Sequence, residues 1–359
     1  MRKIEEKTKQ THKKTRTIYV GKVPIGGGNP VVVQSMTKTD TTDIKSTINQ
    51  IKSLEVIGCE LIRLAIPDMK AAKALGSIKK EIEIPVIADI HFDWRLAIEA
   101  INQGVDGIRV NPGNIGAIWK IKEVVRAAKE RGVAIRIGVN AGSLERGLLK
   151  KYIHPTPEAL VESAEMSIKL FEDMDFTNFK VSLKGSDVLT TIKAYRLFSE
   201  RFDYPLHIGI SEAGPPFTGI IKSSVGLGIL LSDGIGDTIR VSLTAEPEEE
   251  VRVAYGILRS LGLRQKGAEI ISCPTCGRCR IDLRRLASEV EFRLREVDKP
   301  IKVAVMGCVV NGPGEAKEAD FGIAGGKGIG ILFRKGKIIK KIREEDLLDE
   351  LINEISLWK

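Results

Sequence analysis

The sequence is poor in aromatic residues, in cysteine and in long apolar runs, and each shortage excludes something. Phe, Trp and Tyr make up 5% of the 359 residues, too few for the stacking platforms that hold single-stranded nucleic acid. No apolar stretch reaches the roughly 18 residues that a membrane-spanning helix needs. The amino terminus lacks the apolar core of a signal peptide, and its Glu5–Glu6 pair is foreign to a transit peptide, so a cytoplasmic protein is expected. Cysteine occurs only 5 times. An odd number of thiols with no export signal reads as reduced cysteine rather than as a disulfide framework. The dinucleotide-binding glycine fingerprint is also missing from the first strand-to-helix turn, which reads SMTKTD.

What is present is ordinary soluble composition, 43% hydrophobic and 29% charged, at a length that suits two or three domains. Lys and Arg number 56 against 47 Asp and Glu, a net +9 that points to an acidic partner without choosing among nucleic acid, membrane surface and small anions. Part of the excess is an amino-terminal arm with Arg2, Lys3, Lys7, Lys9, Lys13, Lys14 and Arg16. Such a charge run reads as a solvated, frayed terminus.

After the arm, Thr17–Val23 and the turn Gly26-Gly27-Gly28 suggest a small hairpin. Short β-branched runs then recur at Val31–Met36, Leu61–Ile66, Pro85–Ile90, Gly107–Val110, Ala134–Val139, Phe179–Leu183, Leu206–Ile210 and Thr238–Leu243. Amphipathic helix-length stretches lie between them, such as Ile44–Ile57, Asp93–Asn102, Ile115–Arg131, Pro157–Asp173 and Thr190–Arg201. Eight strands alternating with helices within the first 245 residues predict an α/β fold, a TIM-like (β/α)8 barrel over residues 1–245; an open doubly wound sheet is the alternative. From residue 246 to 359 the pattern changes to a small α+β domain. It opens with a helix at Pro247–Leu261, whose Glu248, Glu249 and Glu250 suit a helix amino terminus.

In a (β/α)8 barrel the reactive face lies at the carboxyl ends of the strands. Residues two apart on a strand share a face, which pairs Asp89 with His91, Arg109 with Asn111, Arg136 with Asn140, Ser182 with Lys184 and Arg240 with Ser242; Arg63 and Glu212 add one residue each. Four arginines and a lysine at strand ends exceed the carboxylates Asp89 and Glu212. Unpaired buried charge costs several kcal/mol, so this excess calls for an anionic ligand, and planar guanidinium forks suit phosphate or diphosphate. The segment Thr218–Ser224, with Gly234–Asp237 after it, lies where barrels often bind phosphate on backbone N–H groups. His12 and His154 read as surface residues and His207 as a packed one.

Four of the cysteines fall in one short segment: Cys273, Cys276 and Cys279 in CPTCGRC, and Cys308 in MGCVVNGPGEA. Spacing alone leaves three readings open. Structural zinc wants two separated pairs of Cys or His, and Cys308 stands without a neighbour, although Cys279 could supply a fourth ligand. A thioredoxin-like pair does not need a distant third thiol. An iron–sulfur cluster suits thiolates from two loops rich in Gly and Pro. Cys59 reads as a small buried hydrophobe.

ADIHFD at 88–93, RVNPGNIG at 109–116, RIGVNAGSL at 136–144, KVSLKGSD at 180–187, GISEAGPP at 209–216, CPTCGR at 273–278 and GCVVNGPGEA at 307–316 together resemble the 4-hydroxy-3-methylbut-2-enyl diphosphate synthase family, in the family's order from about Arg16 to the end. The resemblance implies reductive ring opening and dehydroxylation of 2-C-methyl-D-erythritol 2,4-cyclodiphosphate. It also implies a [4Fe–4S] cluster held by Cys273, Cys276, Cys308 and Glu315. Arg63, Arg109, Arg136 and Lys184 would bind the diphosphate, with Asn111, Asn140 and Ser242 as neutral donors and Asp89 and His91 as polar groups of the pocket. Glu212 would deliver a proton, and Glu315, a weak iron ligand, would give way to substrate. A homodimer with a shared active site and an electron donor such as flavodoxin or ferredoxin are implied as well. Cys279 is not needed by the family pattern and is expected to be a non-ligand. Two rivals remain at this level: a zinc-stapled, nucleic-acid-binding barrel and a pterin-type barrel enzyme with a structural thiol domain.

Overall fold

A computed structural model describes residues 13–295, 297–308 and 316–358. The chain divides into two compact units, one ending at Arg264 and one beginning at Gln265.

The first unit is a parallel barrel. Its eight strands are β3 (Val32–Met36), β4 (Leu61–Ala65), β5 (Val86–Asp89), β6 (Gly107–Val110), β7 (Ala134–Asn140), β8 (Phe179–Lys184), β9 (His207–Ile208) and β10 (Thr238–Ile239). They follow the order β8-β7-β6-β5-β4-β3-β10-β9. A parallel bridge between Val181 and Leu206, with Val181 N–H donating to Pro205 O at 2.9 Å, joins β8 to β9. Because helices cover the outside and side chains fill the inside, the strands are buried along almost their whole length. All eight expected strands are present.

Helices begin soon after the strands end, and Asp or Asn starts many of them. Asp43, Asp68, Asp93, Asn111 and Asp187 each accept a backbone N–H of the first helical turn, satisfying groups that the helix itself leaves unpaired. The loops carrying polar strand-end residues are therefore closed by caps within a few residues. The five expected helices are present, although Ile115–Arg131 divides into Pro112–Ile115 and Ile118–Arg131 around Gly116.

The structure corrects three local expectations. The hairpin consists of β1 (Ile18–Val20) and β2 (Val23–Ile25) and turns at Gly21, φ +55°; the glycine triplet follows it. Ile18, Val20 and Ile25 pack on Val32, Leu61, Ile87 and Ala134, so the hairpin plugs the amino-terminal end of the barrel. The arm is also not wholly frayed. Thr15 Oγ1 donates to Asp237 at 2.8 Å, and Arg16 pairs with Asp203 at 2.7 Å while stacking over Tyr204. Residues 1–12 lie outside the described residues. Thr218–Ser224, expected as a phosphate loop, lies inside the helix Pro216–Ser232. Its glycines serve close packing: a Cβ on Gly226 would stand 2.6 Å from Ile210 Cδ1, and one on Gly219 2.5 Å from Leu243 Cδ2.

The helix Pro247–Ser260, assigned from sequence to the second domain, packs in the first unit. Val251, Ala254 and Leu258 are buried in the barrel's core cluster. Arg264, at the end of this unit, donates to Val31 O at 2.7 Å and pairs with Glu60 at 3.0 Å.

The second unit is a five-stranded sheet of β11 (Glu269–Ser272), β12 (Lys302–Met306), β13 (Phe321–Ala324), β14 (Ile329–Arg334) and β15 (Lys337–Arg343). The first three strands are parallel and the last two pairings antiparallel. Helices Leu283–Arg293 and Leu347–Leu357 bury Leu283, Val290, Leu347, Leu351 and Ile355 together with Val303, Val305, Phe321 and Ile323 of the sheet. Strand β15, KIIKKIR, was not anticipated; its lysines guard an exposed sheet edge. No helix among the described residues is long and apolar enough to cross a membrane.

Candidate active site

The barrel registers place the charged residues side by side. Asp89 pairs across to Arg109, Arg109 to Arg136, and Arg136 to Lys180. Asp89 is 3% exposed and has three basic neighbours: Arg109 Nη1 at 3.3 Å, His91 Nε2 at 3.4 Å and Arg63 Nε at 3.6 Å. Burial pushes its pKa up, but Arg63, the hydrogen bond from His91, Arg109 and Arg136 together outweigh burial and hold the carboxyl well below the usual range. Arg63 also directs Nε and Nη2 at Met36 Sδ, at 3.2 and 3.0 Å. In the amide orientation that satisfies both neighbours, Asn140 accepts from Arg109 Nη2 at 2.7 Å.

One carboxylate does not balance this set. Arg136, Lys180 and Lys184 are all buried. Among the described groups, Arg136 Nε and Nη1, Lys180 Nζ and Arg109 Nε have no hydrogen-bond acceptor. Burial, then mutual repulsion among Arg63, Arg109, Arg136 and Arg240, drives the pKa of Arg136 and Lys184 far down; burial and Arg136 do the same to Lys180, with Asp237 opposing. Buried donors without acceptors, on groups that repel each other, mark a place for an anion.

Glycine makes room for these side chains. A Cβ on Gly138 would lie 2.6 Å from Arg109 Nε, and one on Gly209 would lie 2.6 Å from Lys184 Nζ and 2.7 Å from Arg240 O. Gly138→Ala should push Arg109 away from Asp89 and Asn140. The expected result is a rise in substrate KM of roughly tenfold, the loss of about one charged hydrogen bond, with little change in Tm. An unchanged KM would show that Arg109 has slack to give.

Three members of this constellation escaped the sequence reading. Lys180 is one. Glu250 is another: it is 2% exposed, accepts from Leu243 N–H at 3.0 Å, and faces Lys38 at 3.1 Å and Arg240 at 3.5 Å. Lys38 is the third, bonded also to Leu243 O and Ala245 O. Burial and Arg63 lower the Arg240 pKa to about 10, with Glu250 opposing.

The remaining residues are placed less uniformly. Asn111 is buried, but its amide donates to Ser143 Oγ at 2.6 Å and accepts from Gly113 N–H at 3.1 Å, capping a short helix. His91 is half exposed beside Asp89. Ser242 is partly buried. Glu212 is exposed in the loop after β9, at φ +52°, a left-handed conformation that a non-glycine residue holds at a cost of about 1 kcal/mol or more. His207 is packed, as expected, and contacts Lys184.

In the second unit, β11 and β12 are adjacent and parallel, so the loops after them leave the same sheet end. Cys273 follows β11 directly and Cys308 stands two residues past β12. Gly307 N–H donates to Cys273 Sγ at 3.3 Å, the kind of backbone donor that stabilises a thiolate bound to iron. Cys276 is exposed and Cys308 buried. Cys279 Sγ instead bonds Ile281 O at 3.3 Å and fills the space where a Cβ on Gly307 would sit, 2.5 Å away. Glu315 lies outside the described residues, and among the described ones no three His, Cys, Asp or Glu residues are grouped to hold a metal ion. Thiols on two neighbouring loops, one already receiving an N–H bond, fit an iron–sulfur cluster as a donor set. Cys59, whose thiol is pushed up to about 12 by burial, is inert.

The chain matches the GcpE TIM-barrel domain over residues 15–255 and the GcpE protein C-terminal domain over residues 269–357. It is 64% identical to a 4-hydroxy-3-methylbut-2-en-1-yl diphosphate synthase (flavodoxin) of Thermodesulfovibrio yellowstonii, covering 96% of this chain and 98% of that one. A protein of the same description from Geobacter sulfurreducens is 61% identical, covering 95% and 97%. Among solved structures, dihydropteroate synthase of Yersinia pestis aligns with 70% of this chain and 100% of its own, at TM-score 0.50 and 11% identity, a likeness of fold alone.

Proposed function

The chain belongs to the GcpE family, and from that premise we propose that its barrel end binds a cyclic diphosphate whose ring is opened by electrons arriving through the thiol-bearing unit. The activity is that of its relatives, reduction of 2-C-methyl-D-erythritol 2,4-cyclodiphosphate to 4-hydroxy-3-methylbut-2-enyl diphosphate. Two electrons and two protons enter, the ring C–O bond and a C–OH bond break, a C=C bond forms, and water leaves. With this family assigned, the zinc-stapled and pterin-type readings are set aside.

The observation that carries the substrate assignment is the set of buried donors without acceptors on Arg136, Lys180 and Arg109. A diphosphate supplies acceptor oxygens to these donors and negative charge beyond that of Asp89 and Glu250. Arg63, Arg109, Arg136 and Lys184 take the phosphate oxygens, and Asn140 and Ser242 serve as neutral donors. Asp89 holds Arg63 and Arg109 in orientation, with His91 beside it at the opening. Asn111 acts through the loop it caps. Glu212, exposed on the loop after β9, carries a proton to the departing oxygen.

Cys273, Cys276 and Cys308, with Glu315, would hold a [4Fe–4S] cluster. When bound, it supplies a Lewis-acidic iron and the electrons for the reduction. The carboxylate, a weaker iron ligand than thiolate, would be the exchangeable one of the four. Flavodoxin, the donor in the relatives' description, delivers the electrons. The protein works in the cytoplasm as a homodimer, the second unit of one subunit completing the barrel site of the other. The exposed Phe92, Ile118 and Trp119 on the barrel unit support such a contact.

Inorganic pyrophosphate tests the anion site directly. Lys180 and Lys184 are depressed below their ordinary value of 10.5 by burial and neighbouring cations. A bound anion restores their charged form, so binding takes up protons, and affinity falls as pH rises toward 10.5. Calorimetry should show pyrophosphate affinity falling as pH rises, and falling less steeply in Lys184→Met; the same pH dependence in that variant would remove Lys184 from the site.

A further inference from the structure

His207 is wholly buried at the start of β9 and faces Thr238 of β10 in direct register. Its Nε2 lies 3.3 Å from Lys184 Nζ, and its Nδ1 lies 2.7 Å from Thr238 Oγ1. Its backbone is clamped as well. Tyr195 Oη donates to His207 O at 2.6 Å and accepts from Leu183 N–H at 3.1 Å, tying β9 to β8 through the helix between them.

We propose that His207 is a positioning residue for diphosphate capture, its Nε2 lone pair fixing the Lys184 ammonium and Thr238 fixing the tautomer that presents that lone pair. This rests on the reading of Lys184 as a diphosphate contact. The Lys184 nitrogen has N–H to give in either charge state, and once an anion restores its ammonium form it has donors only, so the nitrogen facing it accepts. The ring proton then sits on Nδ1 and is given to Thr238 Oγ1. The charged groups that act most on the imidazole are cationic, Lys184 and Lys180 from β8, Arg136 from β7 and Arg63 from β4; the Asp237 carboxylate, just before Thr238, accepts from Leu206 N–H at 2.7 Å, and the Tyr195 phenol is the titratable group from the covering helix. Burial and these cations keep the ring neutral, which is the form that can accept. Gly209 leaves the channel along which the lysine runs. A free lysine would lose rotamer entropy on capturing a phosphate; His207 removes that loss in advance by holding Nζ in place.

The experiment is steady-state kinetics of the reconstituted full-length enzyme on the cyclic diphosphate with a chemical reductant, across pH, beside melting curves. Thr238→Val lets the ring place its proton on Nε2, where it opposes the ammonium. The expected result is a KM raised about tenfold with kcat within twofold, and a rise in KM that begins at lower pH than in the wild type. Thr238→Ser keeps the hydroxyl and should restore wild-type values. His207→Gln returns an amide oxygen to the place of Nε2 and should stay within about threefold, whereas His207→Leu should match Thr238→Val. A folded Thr238→Val enzyme with unaltered KM and pH profile overturns the assignment, as does Thr238→Ser impaired to the same degree. If Thr238→Val does not fold, a wild-type KM in His207→Leu overturns it. Lys184→Met separates the two levels: an unaltered KM there removes Lys184 from the diphosphate site itself.

Discussion

Arg136→Met should yield a protein that is more stable without substrate and nearly unable to bind it. Arg136 is buried at the centre of the cationic set, with two donor atoms lacking acceptors, and burial, Arg63 and Arg109 all work against its charge. Replacing an uncompensated buried charge by an apolar side chain of similar length is expected to stabilise by about 1–4 kcal/mol, which in a unit of this size raises Tm by about 2–4 °C per kcal/mol. Removing one partner of a buried charge pair costs about 2–5 kcal/mol, so substrate KM should rise by roughly two to three orders of magnitude. The two effects have one cause, and their opposite signs are the test. A variant that loses both stability and affinity would mean that Arg136 is satisfied in the free protein and holds the barrel together.

The same burial and repulsion add a pH dependence to the stability of the free protein. Lys180 and Lys184 have folded pKa values depressed below 10.5, so in that window the unfolded chain binds more protons than the folded one. Their contribution to stability therefore rises with pH up to about 10.5. Substrate reverses the sign by restoring the charges.

Much of this arrangement was legible from alternation. Asp89, Arg109 and Lys184 come late in apolar runs, a position that in a closed barrel faces the carboxyl-end opening; Arg136, third of seven residues in β7, joins them through its register with Arg109. Lys180 has the same parity as Ser182 and Lys184 but lies at the start of β8, and residues so early in a strand are not read as site candidates. Gly138, between Arg136 and Asn140, has inward parity for the same reason. Glu250 was read as one of three acids suiting a helix amino terminus; its signal was its place on the stripe of Pro247, Val251, Ala254 and Leu258, where a carboxylate is buried and needs a cation. The phosphate loop failed because Gly219 and the buried Ser223 belong to an apolar helix that packs closely, Gly219 against Leu243 and Gly226 beyond the segment against Ile210, a three-dimensional fact that composition does not encode. The pairing of His207 with Lys184 spans 23 residues and two strands and depends on β8 and β9 being neighbours at the barrel's closure.

The thiol segment yields the sharpest contrast, because one of its four cysteines is built differently. Anaerobically purified protein should be brown and hold about four iron per chain. Cys273→Ser, Cys276→Ser and Cys308→Ser should each lose most of that iron and, with it, all measurable turnover. Cys279→Ser should keep both: its sulfur is committed to Ile281 O and to the space beside Gly307, and a hydroxyl can serve both needs. Glu315→Cys supplies a ligand that does not give way to substrate, so iron should be retained while turnover is lost. The position with a carboxylate and the position with a spare thiol are then separated by two measurements on the same samples. Loss of iron in Cys279→Ser would make it a ligand and leave Glu315 without a place on the cluster. Full activity in Glu315→Cys would show that the reaction needs no exchangeable position.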